Sequence, residues 1–148
     1  EEYDRSVNRG TMSAPVSYGQ PTPEIQRQVA KANYQRARTL VEMEDYYPAY
    51  EMLRQAVEFD PERPEYWTFL AKVQGRNPKW IRHATETLRR AAARLPESIE
   101  VWLALADACA SERNEVERIK ALREVLKLDP TNKKATKTLA EIAATKPR

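Results

Sequence analysis

The sequence repeats itself with a period of 34 or 35 residues, and this repetition constrains the fold more than any other feature. Trp67 and Trp102 lie 35 residues apart. Leu-Ala pairs at 70–71, 105–106 and 139–140 are spaced by 35 and 34 residues. The prolines that close each copy, Pro61, Pro96 and Pro130, have the same two spacings. Markers of three different kinds do not share one spacing by chance, so the chain contains an internal repeat.

The period and the residue types together resemble the tetratricopeptide repeat, a helix–turn–helix unit. The second helix of the copy that begins at residue 64 carries the matching Ala84, Leu88 and Ala91. The resemblance implies an all-α fold, an α-α superhelix or solenoid. It would contain three helix pairs and a C-terminal capping helix, with repeats at about 30–63, 64–98 and 99–132 and the cap at 133–145.

The sequence departs from the family pattern at a few positions. Alanine stands where the family often has glycine, and Gln74 and Cys109 replace a usual tyrosine. The first copy lacks the tryptophan and places Asn33 and Arg36 at normally apolar positions. Its first helix is therefore the least regular match.

Prolines and capping residues predict where the helices begin. Thr22 can cap the first helix with Pro23 at its first position, where the missing N–H costs nothing. Later helices are predicted to begin at Pro48, at Pro64, after the cap Asn77 at Pro78, after Ser98, and near Thr131. Apolar residues at helical spacing predict the buried faces, which include Ala32, Trp80, Trp102, Val116, Leu122, Val125, Leu139, Ala140 and Ile142.

The first 22 residues gather Gly, Ser, Pro and Asn without helical periodicity. This composition predicts a flexible linker or tail over 1–22 and a repeat domain over 23–145. The opening Glu-Glu-Tyr-Asp-Arg also resembles the end of a J domain, which would make the chain part of a J-domain cochaperone. An arbitrary polar tail is the alternative.

Composition favours a soluble helical protein. Charged residues make up 32 % and hydrophobic ones 41 %, and no apolar run approaches the roughly 18 residues of a membrane span. Cys109 is the only cysteine, so an internal disulfide cannot form and no oxidising compartment is needed. We therefore expect a cytoplasmic protein with no membrane contact.

Groups that carry out chemistry are scarce. His83 is the only histidine, and Cys109 lies on a predicted core stripe. The few glycines form no phosphate-binding loop, and the carboxylates alternate with Lys and Arg as on solvated helix faces. These observations predict a protein that is not an enzyme, with no cofactor and no metal site.

The resemblance implies that the first helices of successive repeats line a concave groove for a segment of another protein. Helix phase predicts the groove residues, which are Lys31, Tyr34, Arg38, Val41, Glu65, Thr68, Lys72, Arg76, Glu100, Leu103, Asp107, Ala110, Lys134, Lys137 and Glu141. One row of them runs from positive to negative: Arg38, Lys72, Asp107 and Glu141. It would complement a segment of opposite polarity, unless it is ordinary scattered surface charge.

One subset of the family binds the C-terminal carboxylate of heat-shock chaperones with lysines, asparagines and an arginine. This chain has Tyr34, Arg38, Phe69, Glu100 and Ala104 where those residues would fall. Because Glu100 would repel a carboxylate, we do not expect that specificity.

The sequence therefore predicts a non-catalytic protein-interaction module that binds a protein or peptide segment. A homo-oligomerisation scaffold is an alternative. RNA binding, suggested by a pI near 9, is less expected, because the groove mixes acidic with basic residues.

Overall fold

The computed structural model describes residues 21–145, which form a stack of seven α-helices and one short 3-10 turn, with no strand among them. The helices are α1 (Pro23–Glu42), α2 (Tyr46–Phe59), α3 (Pro64–Gly75), α4 (Ile81–Arg94), α5 (Ile99–Ser111), α6 (Glu115–Leu128) and α7 (Lys133–Thr145), and the 3-10 turn spans Pro78–Trp80.

Successive helices pack against each other, and α3 also contacts α5, two helices further along. The fold is an all-α helical-repeat solenoid, as predicted. The pairs α1–α2, α3–α4 and α5–α6 form the repeats, and α7 packs on α6 at the C-terminal end.

Several helices begin where the capping pattern predicts. The Thr22 hydroxyl accepts a hydrogen bond from the Ile25 N–H at 3.2 Å, and Pro23 opens α1. Pro64 opens α3, and Ser98 caps α5 through the Val101 N–H. The first N–H groups of a helix have no carbonyl acceptor within the helix. In each of these helices a capping oxygen accepts from one of them, or a proline lacks the N–H altogether.

Two predicted helix starts differ from the structure. Helix α2 begins at Tyr46, two residues before Pro48, because a proline is tolerated anywhere in a first turn. Asn77 caps as expected, but Pro78 opens the 3-10 turn and α4 follows only at Ile81. The capping helix α7 spans Lys133–Thr145, the predicted range, because the Asp129 carboxylate holds Thr131 in the turn before it.

Small side chains fill the contacts between helices. Eleven alanines of the described residues are buried in the core, and they let the helix axes come close enough for the larger leucines and valines to interdigitate. Leu53, Leu122, Val101 and Val125 are among the largest side chains that are fully buried. The apolar stripes of neighbouring helices therefore form one continuous core.

The predicted stripes fail at a few positions. Val116 is 80 % exposed, because the stripe of Leu122 and Val125 runs back through Arg118 at helical spacing. Ala32 and Ala140 are exposed for the same reason, each lying beside the buried row of its helix. Trp80 and Trp102 are only half-buried.

The repeat tryptophans make the same polar contact in both copies. The indole N–H of Trp67 donates to the carbonyl of Pro61 at 2.9 Å, and that of Trp102 donates to the carbonyl of Pro96 at 2.8 Å. Each tryptophan therefore satisfies a carbonyl of the turn that separates its own repeat from the preceding one. The sequence period shows the spacing of these residues but not this bond.

Charged side chains also join repeats. Arg89 on α4 donates two hydrogen bonds to the Glu117 carboxylate on α6, at 2.7 and 2.8 Å. This contact holds the pKa of Glu117 below its usual range. Nearby, burial raises the pKa of the Cys109 thiol to about 11, so at neutral pH it is a protonated core group, as predicted from its place on the stripe.

We expect the two tryptophans to contribute unequally to stability. Trp67 is 4 % exposed, so its replacement by alanine should cost about 3–5 kcal/mol, the usual loss for a buried aromatic. The half-buried Trp102 should cost less when it is replaced in the same way. Urea unfolding followed by circular dichroism measures both values, and an equal loss would contradict the difference in burial.

The Arg89–Glu117 pair should make stability depend on pH. Because the folded pKa of Glu117 is lowered, the pair stabilises the chain above the ordinary glutamate pKa of 4.5, and this contribution is lost as pH falls through the lowered value. A Glu117→Gln variant should therefore lose less of its stability between pH 7 and pH 3 than the parent does. Glu97→Gln, an exposed site, is the control, and urea unfolding at both pH values is the measurement.

Candidate partner-binding cavity

A cavity of about 480 Å³ lies between α3 and α5, the first helices of the second and third repeats. Tyr34 of α1 closes one side, and residues of α4 contribute to the wall. Its lining is Tyr34, Glu65, Thr68, Phe69, Ala71, Lys72, Gly75, Ile81, Ala84, Leu88, Glu100, Ala104, Asp107, Ala108 and Ser111.

The apolar part of the lining includes an aromatic cluster. The Tyr34 ring lies 4.9 Å from the Tyr66 ring, centroid to centroid, and 5.7 Å from the Phe69 ring in an edge-on arrangement. Rings packed in this way are held in place by their neighbours. Tyr34 and Phe69, together with the small Ala104 and Ala108 of α5, form the apolar part of the cavity wall.

The polar part carries three carboxylates and one ammonium group. The Thr68 hydroxyl donates to the Glu100 carboxylate at 3.0 Å, which joins α3 to α5. Asp107 lies 3.4 Å from the Lys134 ammonium group of α7, and this exposed pair contributes little to stability. Lys72 forms no ion pair within residues 21–145. Glu65 lies 3.8 Å from the Arg63 guanidinium, so Glu100 is the lining carboxylate that forms no ion pair within residues 21–145.

The structure brings some of the predicted groove residues together and not others. Tyr34, Thr68, Lys72 and Asp107 line the cavity, as do Glu65 and Glu100 from the longer predicted row. The remaining members of the predicted set lie outside its lining: Lys31, Arg38, Val41, Arg76, Leu103, Ala110, Lys134, Lys137 and Glu141. As a binding set, these residues stay a prediction.

The residues outside the cavity have identifiable surroundings. Arg76 turns toward α2, where its guanidinium donates to the Tyr46 hydroxyl at 2.6 Å and lies over that ring. Val41 and Leu103 pack against the core. The Arg38 guanidinium lies 5.9 Å from the centre of the Tyr34 ring, beside the cavity. Lys31, Lys137 and Glu141 are exposed.

Helix phase misses the contribution of α4. Ile81, Ala84 and Leu88 come from the second helix of a repeat, whereas the prediction rests on first helices alone. The sequence places Phe69 and Ala104 on the groove side only through the resemblance to chaperone-binding members of the family. The signal that could have found them is sequence adjacency, because Phe69 directly follows Thr68 and Ala104 directly follows Leu103.

No cluster of three His, Cys, Asp or Glu residues in the described part of the chain could hold a metal ion. His83 is exposed on α4 and does not line this cavity. Within residues 21–145, no helix has the length and apolar character that crossing a membrane requires.

Two family models match the sequence, and both describe the tetratricopeptide repeat. One covers residues 30–73 and the other residues 99–132. The matched spans correspond to the first and third repeats of the stack and together include more than half of the chain. The chain belongs to the tetratricopeptide repeat family. The J-domain resemblance lies at Glu1–Arg5, outside the residues that the structure describes.

Solved structures of other tetratricopeptide-repeat domains share the fold. The first such domain of Spaghetti (RPAP3), bound to the HSP90 peptide SRMEEVD, has a TM-score of 0.68 and 22 % identity, covering 80 % of this chain and 93 % of that one. The second domain of human RPAP3, in complex with the HSP70 peptide SGPTIEEVD, has a TM-score of 0.65 and 18 % identity, covering 82 % and 98 %.

A third similar structure is the Arabidopsis OM64 tetratricopeptide-repeat domain, with a TM-score of 0.66 and 14 % identity over 80 % of this chain and 98 % of that one. No curated protein matches the sequence. At these identities the structural likeness concerns the fold of the repeat stack.

Proposed function

We propose that this chain is a non-catalytic module that binds an extended or helical segment of a partner protein in the cavity between α3 and α5. The observation that carries the proposal is the cavity itself, whose volume is in the roughly 300–1,000 Å³ range of small-molecule pockets and so suits a few side chains of such a segment. An apolar surface bounded by a few charged groups is the usual composition of a site that recognises one kind of ligand.

The charge of the lining narrows the partner. Glu100, whose carboxylate forms no ion pair within residues 21–145, favours a segment with a basic residue beside an apolar one. The peptides held by the RPAP3 domains have acidic ends, and Glu100 disfavours such an end here. The similar structures thus support the binding of a segment, while the charges of this chain favour a different one.

A narrower form of the proposal concerns the larger protein and the cellular compartment to which this chain belongs. A cytoplasmic J-domain cochaperone would use the repeats to select clients or partners. This form depends on the resemblance of Glu1–Arg5, and the full reading frame would test it. Homo-oligomerisation and RNA binding stay predictions, tested by sedimentation over a range of concentrations and by titration with RNA at two salt concentrations.

Charge reversal at the cavity should change the affinity for basic peptides in opposite directions. Dodecapeptides selected from a random displayed library against the parent chain provide the probes, and we expect them to combine Lys or Arg with an aliphatic or aromatic residue. Glu100→Lys should weaken their binding about tenfold and Lys72→Glu should strengthen it, since each change alters the potential inside the cavity. Isothermal titration calorimetry gives the dissociation constants.

Lys120→Glu is the matched control, because it makes the same charge change as Lys72→Glu on an exposed position of α6 that does not line the cavity. It should leave the affinity unchanged. Selected peptides that bind all three variants as tightly as the parent would show that the cavity is not the binding site. Circular dichroism confirms that each variant keeps its helical content.

A further inference from the structure

A second cavity, of about 390 Å³, lies between α2 and α4, the second helices of the first two repeats. It shares no lining residue with the first cavity. Its lining is Tyr50, Arg54, Val57, Glu58, Leu70, Gln74, Trp80, His83, Glu86, Thr87 and Arg90.

Aromatic rings form one wall of this second cavity. The centroids of the Tyr50 and Trp80 rings are 5.0 Å apart, and Tyr47 lies 6.1 Å from Tyr50 and 6.4 Å from Trp80. Tyr47 is 61 % exposed, so most of its side chain faces solvent. The three rings thus present apolar area to solvent next to a cavity.

A buried amide without a hydrogen-bond acceptor lies in the same lining. Gln74 is only 6 % exposed, and its side-chain oxygen accepts a hydrogen bond from the Thr87 hydroxyl at 2.7 Å. Its amide nitrogen donates to no other group within residues 21–145. Buried polar groups are nearly always hydrogen-bonded, so an acceptor on a ligand in this cavity could pair with the Gln74 amide.

Trp80 supplies a second donor. The indole N–H groups of Trp67 and Trp102 donate to proline carbonyls of their own turns, but that of Trp80 has no acceptor in the described part of the chain. Trp80 comes from the 3-10 turn that is specific to the second repeat, which is why it does not make the contact that the repeat tryptophans share.

The charged groups of the lining cancel. Arg54 and Arg90 are balanced by Glu58 and Glu86, and Arg54 also pairs with Glu51 at 3.2 Å. The Arg90 guanidinium stacks 5.5 Å from the centre of the Trp67 indole ring system. This balance gives the lining no net preference for an acidic or a basic segment, which suits an uncharged ligand.

We propose that this second cavity binds an uncharged, proline-containing extended segment of a partner protein. A polyproline II segment has no internal hydrogen bonds, so its carbonyl groups are free to accept from Gln74 and Trp80. Its proline rings pack on exposed aromatic faces, a recognised way of binding such segments at low entropic cost. This site is separate from the first cavity, between α3 and α5, which is the binding site of the proposed function.

Decaproline with both ends capped is the probe, and two-dimensional ¹H–¹⁵N NMR of the full chain is the readout. The three tryptophans give three separate indole signals. On titration we expect the Trp80 signal to move in a saturable way while those of Trp67 and Trp102 stay in place. A Trp80 signal that does not move at millimolar decaproline would overturn the proposal.

Two variants test the donors separately. Gln74→Met keeps the length of the side chain but removes the amide, and Trp80→Phe keeps an aromatic ring but removes the N–H. Each should weaken decaproline binding about tenfold, the usual consequence of losing one buried hydrogen bond. Because Trp80→Phe has no Trp80 indole signal, both variants are followed through the backbone amide signals of the cavity lining, and circular dichroism checks the fold. Should Gln74→Met fail to fold, Trp80→Phe carries the test, since the Trp80 side chain is only half-buried.

Three controls separate binding in this cavity from binding elsewhere and from nonspecific association. Thr68→Val, in the first cavity, should leave decaproline binding unchanged, so that failure of this proposal and failure of the main function are distinguishable. A capped peptide of five Gly-Ser units is equally uncharged but flexible, and it should bind much more weakly. Tighter binding of capped decaglutamate than of decaproline would assign the cavity to an anionic ligand and overturn the proposal.

Discussion

Close contact between helices through small side chains is the interaction on which the structure depends. Buried alanines occur on every helix of the stack, among them Ala37, Ala56, Ala91, Ala106 and Ala135. A larger side chain at these positions would push the helix axes apart and leave gaps elsewhere, because helix interiors pack at crystal-like density. The cavities persist beside this dense core because they lie between helices of adjacent repeats, where the same-repeat contacts do not close the space.

The repeat pattern predicted the fold, and local chemistry predicted several helix starts. Period and capping act within a few residues of the chain, so Thr22, Pro23 and Pro64 could be interpreted directly. Positions one or two residues from the true stripe could not be assigned in this way. Val116, two residues before Arg118, is apolar but exposed, because the stripe itself passes through the arginine. Which of several nearby positions faces inward depends on the contacts with neighbouring helices.

The candidate site was predicted less completely for a similar reason. Helix phase says which way a side chain points from its own helix, and three of the predicted groove residues, Thr68, Lys72 and Asp107, line the cavity. It says nothing of contacts with other helices, so it missed the part of the wall that comes from α4 and the hydrogen bond that draws Arg76 to Tyr46. The second cavity could not be foreseen at all, because Gln74 and Trp80 meet only once α2, α3 and the 3-10 turn are assembled.

The bond between Arg89 and Glu117 limits how far the repeats are interchangeable modules. Helices α4 and α6 begin 34 residues apart, at Ile81 and Glu115, so the residue of α4 equivalent to Glu117 is His83. A longer array built by copying the second repeat in tandem would therefore set the guanidinium of Arg89 against an imidazole instead of a carboxylate. This polar contact therefore favours the present succession of the second and third repeats over a tandem copy of the second.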